Sequence, residues 1–202
     1  MKPHFKKDRT FAIIKPDGVQ RSLIGEIIKR YERAGLKLVG TKMIVPTAEM
    51  VRRHYTVDPL WLQKVGEKNI KSYESKGKKP PFTDPVKSGE RVLEVLIKYM
   101  TSGPVVAMVW QGAHAVQVIK KITGSTEPLT SVVGTIRGDF VVDSYEMSDL
   151  DGRAVRNVLH VSTSEAEAEA EINIWFDKKE IINYKLVQEE ILYDVNLDGI
   201  LE

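Results

Sequence analysis

Short apolar blocks alternate with helical stripes along the first part of the chain. Residues 11–14 are all apolar, too few for a helix and soon followed by Pro16, so the pattern predicts a buried strand over residues 9–15. The sequence from Lys15 to Gly18 is typical of a turn. Apolar residues then recur at helical spacing over residues 23–34, and Gly35 stands where a left-handed cap is expected.

The same alternation predicts the elements that follow. We expect strands over residues 36–45, 105–110 and 155–161, and helices over residues 47–55, 92–100 and 113–122. Residues 125–138 show no sustained period and contain Pro128 and Gly134, so they predict a long ordered loop. Residues 58–88 contain residues typical of loops within a stretch that is otherwise helical in character, which indicates an insertion.

A last helix is predicted after Ser164. Glu167 stands three residues further on, as in a capping box, and an apolar stripe follows at Ala168, Ile172, Trp175 and Phe176. His160 therefore lies just ahead of a helix N-terminus. Partial positive charge and unpaired amide donors favour an anion there, such as a phosphoryl group.

Composition narrows the class of protein. The 202 residues suit one domain with appendages, and they include no cysteine, which favours a cytoplasmic location, as does the lack of a signal-peptide pattern. The apolar runs are too short to cross a bilayer. The net charge of +2 does not by itself indicate a nucleic-acid or membrane-surface protein, so an anionic ligand must be met by local charges.

Single candidate residues are weak signals when taken alone. A histidine in a strand is more often structural than catalytic. Glu171, however, lies about two helical turns after Ser164 at the edge of the buried stripe, and helical side chains lean toward the N-terminus, so its carboxylate could orient His160. Lys15 could supply a positive charge that binds phosphate, or it could only be part of a turn. Arg137 could simply form an ion pair with Asp139.

Familiar phosphate and metal motifs are absent from the sequence. Neither a Walker A pattern nor a Gly-x-Gly-x-x-Gly pattern occurs, and the four histidines do not show metal-ligand spacing. A phosphate site would therefore be assembled from scattered side chains.

Several long segments in a fixed order resemble the nucleoside diphosphate kinase family. They are RTFAIIKPDGVQR at 9–21, GEII at 25–28, HY at 54–55, SGPVVAM at 102–108, GTIRGDF at 134–140, NVLHVSTS at 157–164, Glu171, and WF at 175–176. The likeness extends from about residue 9 to Tyr184 and is interrupted by insertions, approximately at residues 58–88 and 143–155.

The resemblance implies an α+β fold with a ferredoxin-like βαββαβ core, in which helices cover one face of an antiparallel four-stranded sheet. It also implies ping-pong transfer of the terminal phosphate of a nucleoside triphosphate to a nucleoside diphosphate through a phosphohistidine at His160. In the family the Nδ1 atom attacks. Mg²⁺ would be the cofactor, held through the nucleotide phosphates rather than by a protein-only cage.

The resemblance also assigns roles to single residues. Lys15 and Tyr55 would bound the transferred phosphoryl group, and Asn157 would reach the ribose and the terminal phosphate. Ser162 and Ser164 would support the region around His160, with Glu171 hydrogen-bonded to the site. The residues implied in contacts with the distal phosphates are Lys120, Thr126 and Arg137.

Four positions depart from the family pattern. Lys120 replaces the usual Arg and loses the bidentate fork while keeping the charge. Val161 replaces a common Gly, so we expect its backbone to avoid positive φ. Thr163 replaces an acid, and Val92 stands where an aromatic usually stacks on the base. The insertion after Tyr55 could supply Trp61 or Phe82 instead.

The resemblance suggests a homo-oligomer, a dimer-based tetramer or hexamer. The second insertion and an extension over residues 185–202 lie where relatives build subunit contacts. Two other functions stay open at this point: a nucleotide-binding regulatory module without turnover, and a hydrolase that uses His160 as general base for Ser162 or water.

Overall fold

Four antiparallel strands form the centre of the molecule, whose computed structural model describes residues 7–193. Their order across the sheet is β2-β3-β1-β4. Strand β1 pairs with β3 on one side and β4 on the other, so Ile13 lies opposite both Ala107 and His160. The strands are β1 Asp8–Ile14, β2 Lys37–Ile44, β3 Val105–Gly112 and β4 Leu159–Val161.

Helices connect and cover these strands. They are α1 Pro16–Gln20, α2 Ile24–Arg33, α3 Ala48–Tyr55, α4 Trp61–Ser75, α5 Pro85–Met100, α6 Ala115–Thr123, α7 Ile136–Phe140, α8 Tyr145–Leu150, α9 Glu165–Trp175 and α10 Glu189–Leu192. None of the helices between residues 7 and 193 combines the length and apolar character that a bilayer crossing needs.

The core has ferredoxin-like topology, as the sequence predicts. Helix α2 connects β1 to β2 and α6 connects β3 to β4, and both pack on the face that carries Ala12 and Ile14. Because side chains alternate along a strand, Phe11 and Ile13 point to the opposite face, where α3 and α9 pack. This second layer, added to the βαββαβ core, brings α9 against β1 and β4.

The segment predicted as the first insertion forms a helical hairpin of α4 and α5. The backbones of the two helices are in close contact where they cross. A Cβ atom added to Gly66 would lie only 1.8 Å from the Pro85 carbonyl oxygen. A Cβ on Gly89 would likewise lie 2.0 Å from the carbonyl oxygen of Leu62. Glycine is therefore required on both helices for this packing.

The segment predicted as the second insertion contains α8, which contacts the hairpin. Lys76, at the end of α4, forms an ion pair of 3.5 Å with Asp149 of α8. The two predicted insertions are therefore in contact with each other. The extension after Tyr184 packs on the sheet through a partly buried ion pair of 2.8 Å between Lys37 and Glu189; its residues 194–202 lie outside the described part.

Three local predictions are wrong. The expected turn after Lys15 is the short helix α1, because Pro16 is well suited to a first helical position. The expected loop over residues 125–138 contains a 3₁₀ turn, Pro128–Thr130, and the start of α7, which Thr135 caps by accepting a hydrogen bond from Gly138. The strand predicted over residues 155–161 begins only at Leu159, since Val158 has a φ of 56°.

One helix start also differs from expectation. Helix α5 begins at Pro85, not near Val92, because Asp84 caps it by accepting a hydrogen bond from the Lys87 amide. Thr47 caps α3 as predicted. Val161 lies in β4, outside the residues with positive φ, as predicted.

Candidate active site

His160 lies on β4 with its side chain on the α9 face of the sheet. It is opposite Ile13 in the register of β1 and β4, so strand alternation places both on that face. Its ring packs against Phe11, with 6.4 Å between the ring centroids, and against His54, at 4.3 Å. About 15% of the His160 side chain stays exposed, toward a cleft.

Glu171 holds the His160 ring by one nitrogen. The Nε2 atom lies 2.7 Å from Oε1 of Glu171, while Oε2 of Glu171 accepts a hydrogen bond from the Ser162 hydroxyl. An ionised carboxylate can only accept, so Nε2 carries the proton and donates it. In that tautomer the lone pair is on Nδ1, which makes no hydrogen bond within residues 7–193.

Burial and neighbouring charges keep this imidazole neutral. Burial lowers the pKa of His160 below its usual value, and the cations Lys15 and Arg137 lower it further. Burial raises the pKa of Glu171 to about 6. At neutral pH the pair is therefore a neutral histidine beside an ionised glutamate.

The two serines predicted as supporting residues act in different ways. Ser162 is fully buried and holds Glu171. Ser164 caps α9 by accepting a hydrogen bond of 3.2 Å from the Glu167 amide. The Glu167 carboxylate accepts from the Thr163 amide at 2.7 Å, so the reciprocal half of the predicted capping box goes one residue earlier.

Lys15 and Asn157 form a buried polar pair in the same cleft. The Lys15 ammonium donates to Asn157 Oδ1 over 2.7 Å, and Asn157 Nδ2 donates to the Thr126 carbonyl over 2.8 Å. Burial, helped by the nearby Arg137 charge, lowers the pKa of Lys15 to about 7. An incoming anion would raise this pKa, since it favours the charged form.

Arg137 has a structural function that the sequence did not predict. Its guanidinium donates to the carbonyls of Asn157 (3.1 Å), Gly124 (3.0 Å), Ser125 (3.0 Å) and Leu159 (2.6 Å). Four of its five donors therefore bind the backbone of two chain segments, residues 124–125 and 157–159. The side chain is buried and contributes positive charge to the cleft wall.

The other predicted residues line the same cleft, whose volume is about 1390 Å³. Lys120 and Thr126 are exposed at one wall, and Val92 comes from α5 on the other. Tyr55, at the end of α3, has a buried hydroxyl that finds no hydrogen-bond partner within the described chain. The structure thus brings all the predicted residues, except the fully buried Ser162, to the walls of one cleft.

His54 is a site residue that the sequence did not indicate. Its side chain is fully buried, and its Nδ1 accepts a hydrogen bond of 3.3 Å from Trp175 Nε1 and lies 3.4 Å from Glu171 Oε1. Burial lowers its pKa to about 3, so the ring is neutral. The only signal was its place beside Tyr55 in one of the matching segments.

His54, His160 and Glu171 offer possible ligand atoms within 4.8 Å of one another. These atoms are already hydrogen-bonded, because Glu171 Oε1 accepts from His160 and His54 Nδ1 accepts from Trp175. The cluster therefore forms a hydrogen-bond network that orients His160, while the Nε2 atom of His54 is buried without a hydrogen-bond partner in the described residues.

Comparison with known proteins identifies the family to which this chain belongs. The family model described as "Nucleoside diphosphate kinase" matches residues 8–59 and 71–181. Residues 60–70 are left unmatched, within the segment predicted as the first insertion.

Individual relatives and solved structures that resemble this chain belong to the same family. A nucleoside diphosphate kinase from Pyrobaculum aerophilum is 43% identical over 87% of this chain and 98% of its own. Nucleoside diphosphate kinase A from Mus musculus is 38% identical over 93% and 97%. The crystal structure of an NDP kinase from Pyrobaculum aerophilum has a TM-score of 0.85 at 42% identity, covering 88% of this chain and 100% of that one. A transition-state mimic of the Borrelia burgdorferi enzyme with bound vanadate and ADP has a TM-score of 0.74 at 36% identity, covering 91% and 95%.

Proposed function

This chain belongs to the nucleoside diphosphate kinase family, and from that premise we propose that it transfers the terminal phosphate of a nucleoside triphosphate to a nucleoside diphosphate through a phosphohistidine at His160. The observation that carries the proposal is the hydrogen bond between His160 Nε2 and Glu171, which leaves Nδ1 as the nucleophile in a cationic cleft.

The reaction has two matched halves. The Nδ1 lone pair attacks the terminal phosphorus, the bond from that phosphorus to the bridging oxygen breaks, and the nucleoside diphosphate leaves with that electron pair. A second diphosphate then attacks the phosphohistidine through a terminal oxygen, and the P–N bond returns its electrons to Nδ1. Glu171 stays hydrogen-bonded to Nε2 and stabilises the positive charge that develops on the ring.

Positive charge along the cleft stabilises the transferred group, because phosphoryl transfer depends on positioning and dispersed charge. The Lys15 ammonium and the Tyr55 hydroxyl bound the phosphoryl group, and Asn157 holds Lys15 in place. Lys120 and Thr126 contact the distal phosphates, with Arg137 contributing mainly its charge. Val92 offers the base only aliphatic contact.

Members of this family generally need a divalent metal, and we propose Mg²⁺ held through the nucleotide phosphates. The carboxylates nearest His160 fit this arrangement, because Glu171 and Glu167 already accept hydrogen bonds from the protein. When bound, the ion neutralises phosphate charge. A cytoplasmic location and a homo-oligomeric assembly stay predictions of the sequence.

The hydrolase alternative in which Ser162 is the nucleophile fits the geometry poorly. The Ser162 hydroxyl is fully buried and donates to Glu171, so it does not reach a substrate in the cleft. The regulatory-module alternative retains the same contacts and differs only in turnover.

Phosphate exchange between ATP and a second nucleoside diphosphate tests the proposal. We expect formation of the second triphosphate without release of inorganic phosphate, and loss of exchange in His160→Ala. Nucleotide binding without exchange in the unmodified protein would indicate the regulatory module, and release of inorganic phosphate would indicate the hydrolase.

A further inference from the structure

The α4–α5 hairpin lines a large part of the cleft. We propose that Trp61, the first residue of α4, is the surface on which the nucleobase stacks; this assignment rests on the proposed phosphotransferase function. A nucleotide whose terminal phosphate meets His160 has its base at the far end of the phosphates and ribose, so the base needs a platform away from the histidine.

A chain of ring contacts extends from His160 to Trp61. The Tyr55 ring lies 5.9 Å from the His160 ring and 5.6 Å from the Trp61 ring. Trp61 is partly exposed and lines the cleft, whereas Trp110 and Trp175 are buried. Trp61 is thus the tryptophan of the chain that a ligand in the cleft can contact.

Local contacts hold Trp61 firmly. The Asp58 carbonyl accepts a hydrogen bond of 2.9 Å from the Trp61 amide, and the Asp58 carboxylate binds the Leu60 amide and the Lys64 ammonium. The next residue, Leu62, lies at the close crossing with Gly89. A preorganised ring loses little conformational entropy when a base stacks on it.

The opposite wall of this end comes from the segment predicted as the second insertion. Gly152 and Ala154 line the cleft, and the ion pair between Lys76 and Asp149 joins the hairpin to α8. The base end is therefore enclosed by the hairpin and the α8 segment. Because stacking tolerates every base, such a site accepts many nucleotides with little discrimination.

The sequence points to two further residues for this role. Val92 lines the cleft but has no ring, and Phe82 lies in the segment between α4 and α5 with 40% of its surface exposed. Trp61 alone of the three combines a ring with the contact to Tyr55. It also lies in residues 60–70, which the family model leaves unmatched.

Tryptophan fluorescence reports this contact without turnover. We expect ADP to quench the fluorescence of the wild-type protein and pyrophosphate, which lacks a base, to leave it unchanged. In Trp61→Phe the quenching should disappear while ADP affinity, measured by calorimetry, stays close to that of the wild type. Quenching that persists in Trp61→Phe, or an equal signal from pyrophosphate, would overturn the assignment.

Steady-state exchange supplies the second readout. Trp61→Leu should raise KM for ADP and GDP about tenfold, with a smaller rise for CDP and UDP, because purines offer more stacking area. Saturating nucleotide should restore kcat, since the lost contact is equal in ground and transition states. Phe82→Leu is the matched control and should leave KM unchanged; a rise in Phe82→Leu instead of Trp61→Leu would contradict the proposal. Absence of exchange in the wild-type protein would overturn the proposed function, whereas the fluorescence result would still test Trp61.

Discussion

The Nε2 atom of His160 donates a hydrogen bond of 2.7 Å to Oε1 of Glu171, and this bond determines which ring nitrogen can attack phosphorus. Glu171→Gln removes the charge that keeps the proton on Nε2. We expect kcat to fall about 100-fold, the lower range for loss of a positioned acid or base partner, with the fold retained. Exchange kinetics and circular dichroism measure the two effects.

Glu165→Gln is the control for this substitution, because Glu165 is exposed on the same helix α9. It should leave kcat unchanged. An unchanged kcat in Glu171→Gln would show that the carboxylate does not orient the nucleophile.

The pH dependence of kcat/KM follows from two shifted groups. As pH falls through about 6, Glu171 becomes protonated and donates a hydrogen bond to Nε2. The neutral ring then carries its own proton on Nδ1, so the nucleophilic lone pair is lost. As pH rises through about 7, Lys15 of the free enzyme loses its charge and binds phosphate less well. The profile should therefore be bell-shaped, with its maximum between these values.

Lys15→Arg should remove the alkaline limb of this profile, because a guanidinium stays protonated. In the unmodified enzyme the alkaline limb of kcat should lie at higher pH than that of kcat/KM, since bound phosphate raises the pKa of Lys15. A flat profile on the acid side would argue against the role assigned to Glu171.

Arg137 stabilises the fold as well as the ligand. Arg137→Ala leaves four backbone carbonyls without their donor, so we expect the free energy of unfolding to fall by about 3 kcal/mol or more. Urea denaturation measures this loss. Lys120→Ala serves as the comparison, because Lys120 is exposed and should affect the KM for nucleotide but not stability. Equal stability of the two variants would contradict the structural role of Arg137.

The core of the fold could be predicted because its signals are local. The apolar block of β1, the stripe of α2 and the caps at Thr47 and Ser164 each depend on a few neighbouring residues, and the structure has all four. The strand that contains His160 is shorter than predicted, because hydrogen bonds with residues distant in sequence determine where it begins. The Val158 amide donates to Asp17, and the Lys15 amide donates to the Val158 carbonyl.

The candidate site was only partly predictable for the same reason. Helical geometry pointed Glu171 toward His160, and the structure places them in contact. The four carbonyl partners of Arg137 and the packing of His54 depend on chain segments far apart in sequence, so no spacing rule indicates them. The α4–α5 crossing also depends on two glycines 23 positions apart, Gly66 and Gly89.

That crossing gives a further prediction. Gly89→Ala would place a methyl group against the Leu62 carbonyl, so α4 must move away from α5. We expect a loss of about 2 kcal/mol in unfolding free energy and a higher KM for nucleotide, since Trp61 moves with α4. Calorimetry and exchange kinetics measure these effects.

Gly25→Ala is the matched control, because a Cβ at Gly25 on helix α2 meets no atom within 4 Å. This change should raise stability by about 0.5 kcal/mol, as expected for alanine in a helix. Equal effects of the two substitutions would contradict the close packing of the hairpin.

The most direct measurement is the position of the phosphate after a brief reaction with ATP labelled on its terminal phosphate. We predict one acid-labile, alkali-stable label on Nδ1 of His160, identified by ³¹P NMR and by analysis of the phosphohistidine after alkaline hydrolysis. It should be absent in His160→Ala and discharged by a nucleoside diphosphate. Phosphate on Nε2, an acid-stable label, or labelling that persists in His160→Ala would contradict the account.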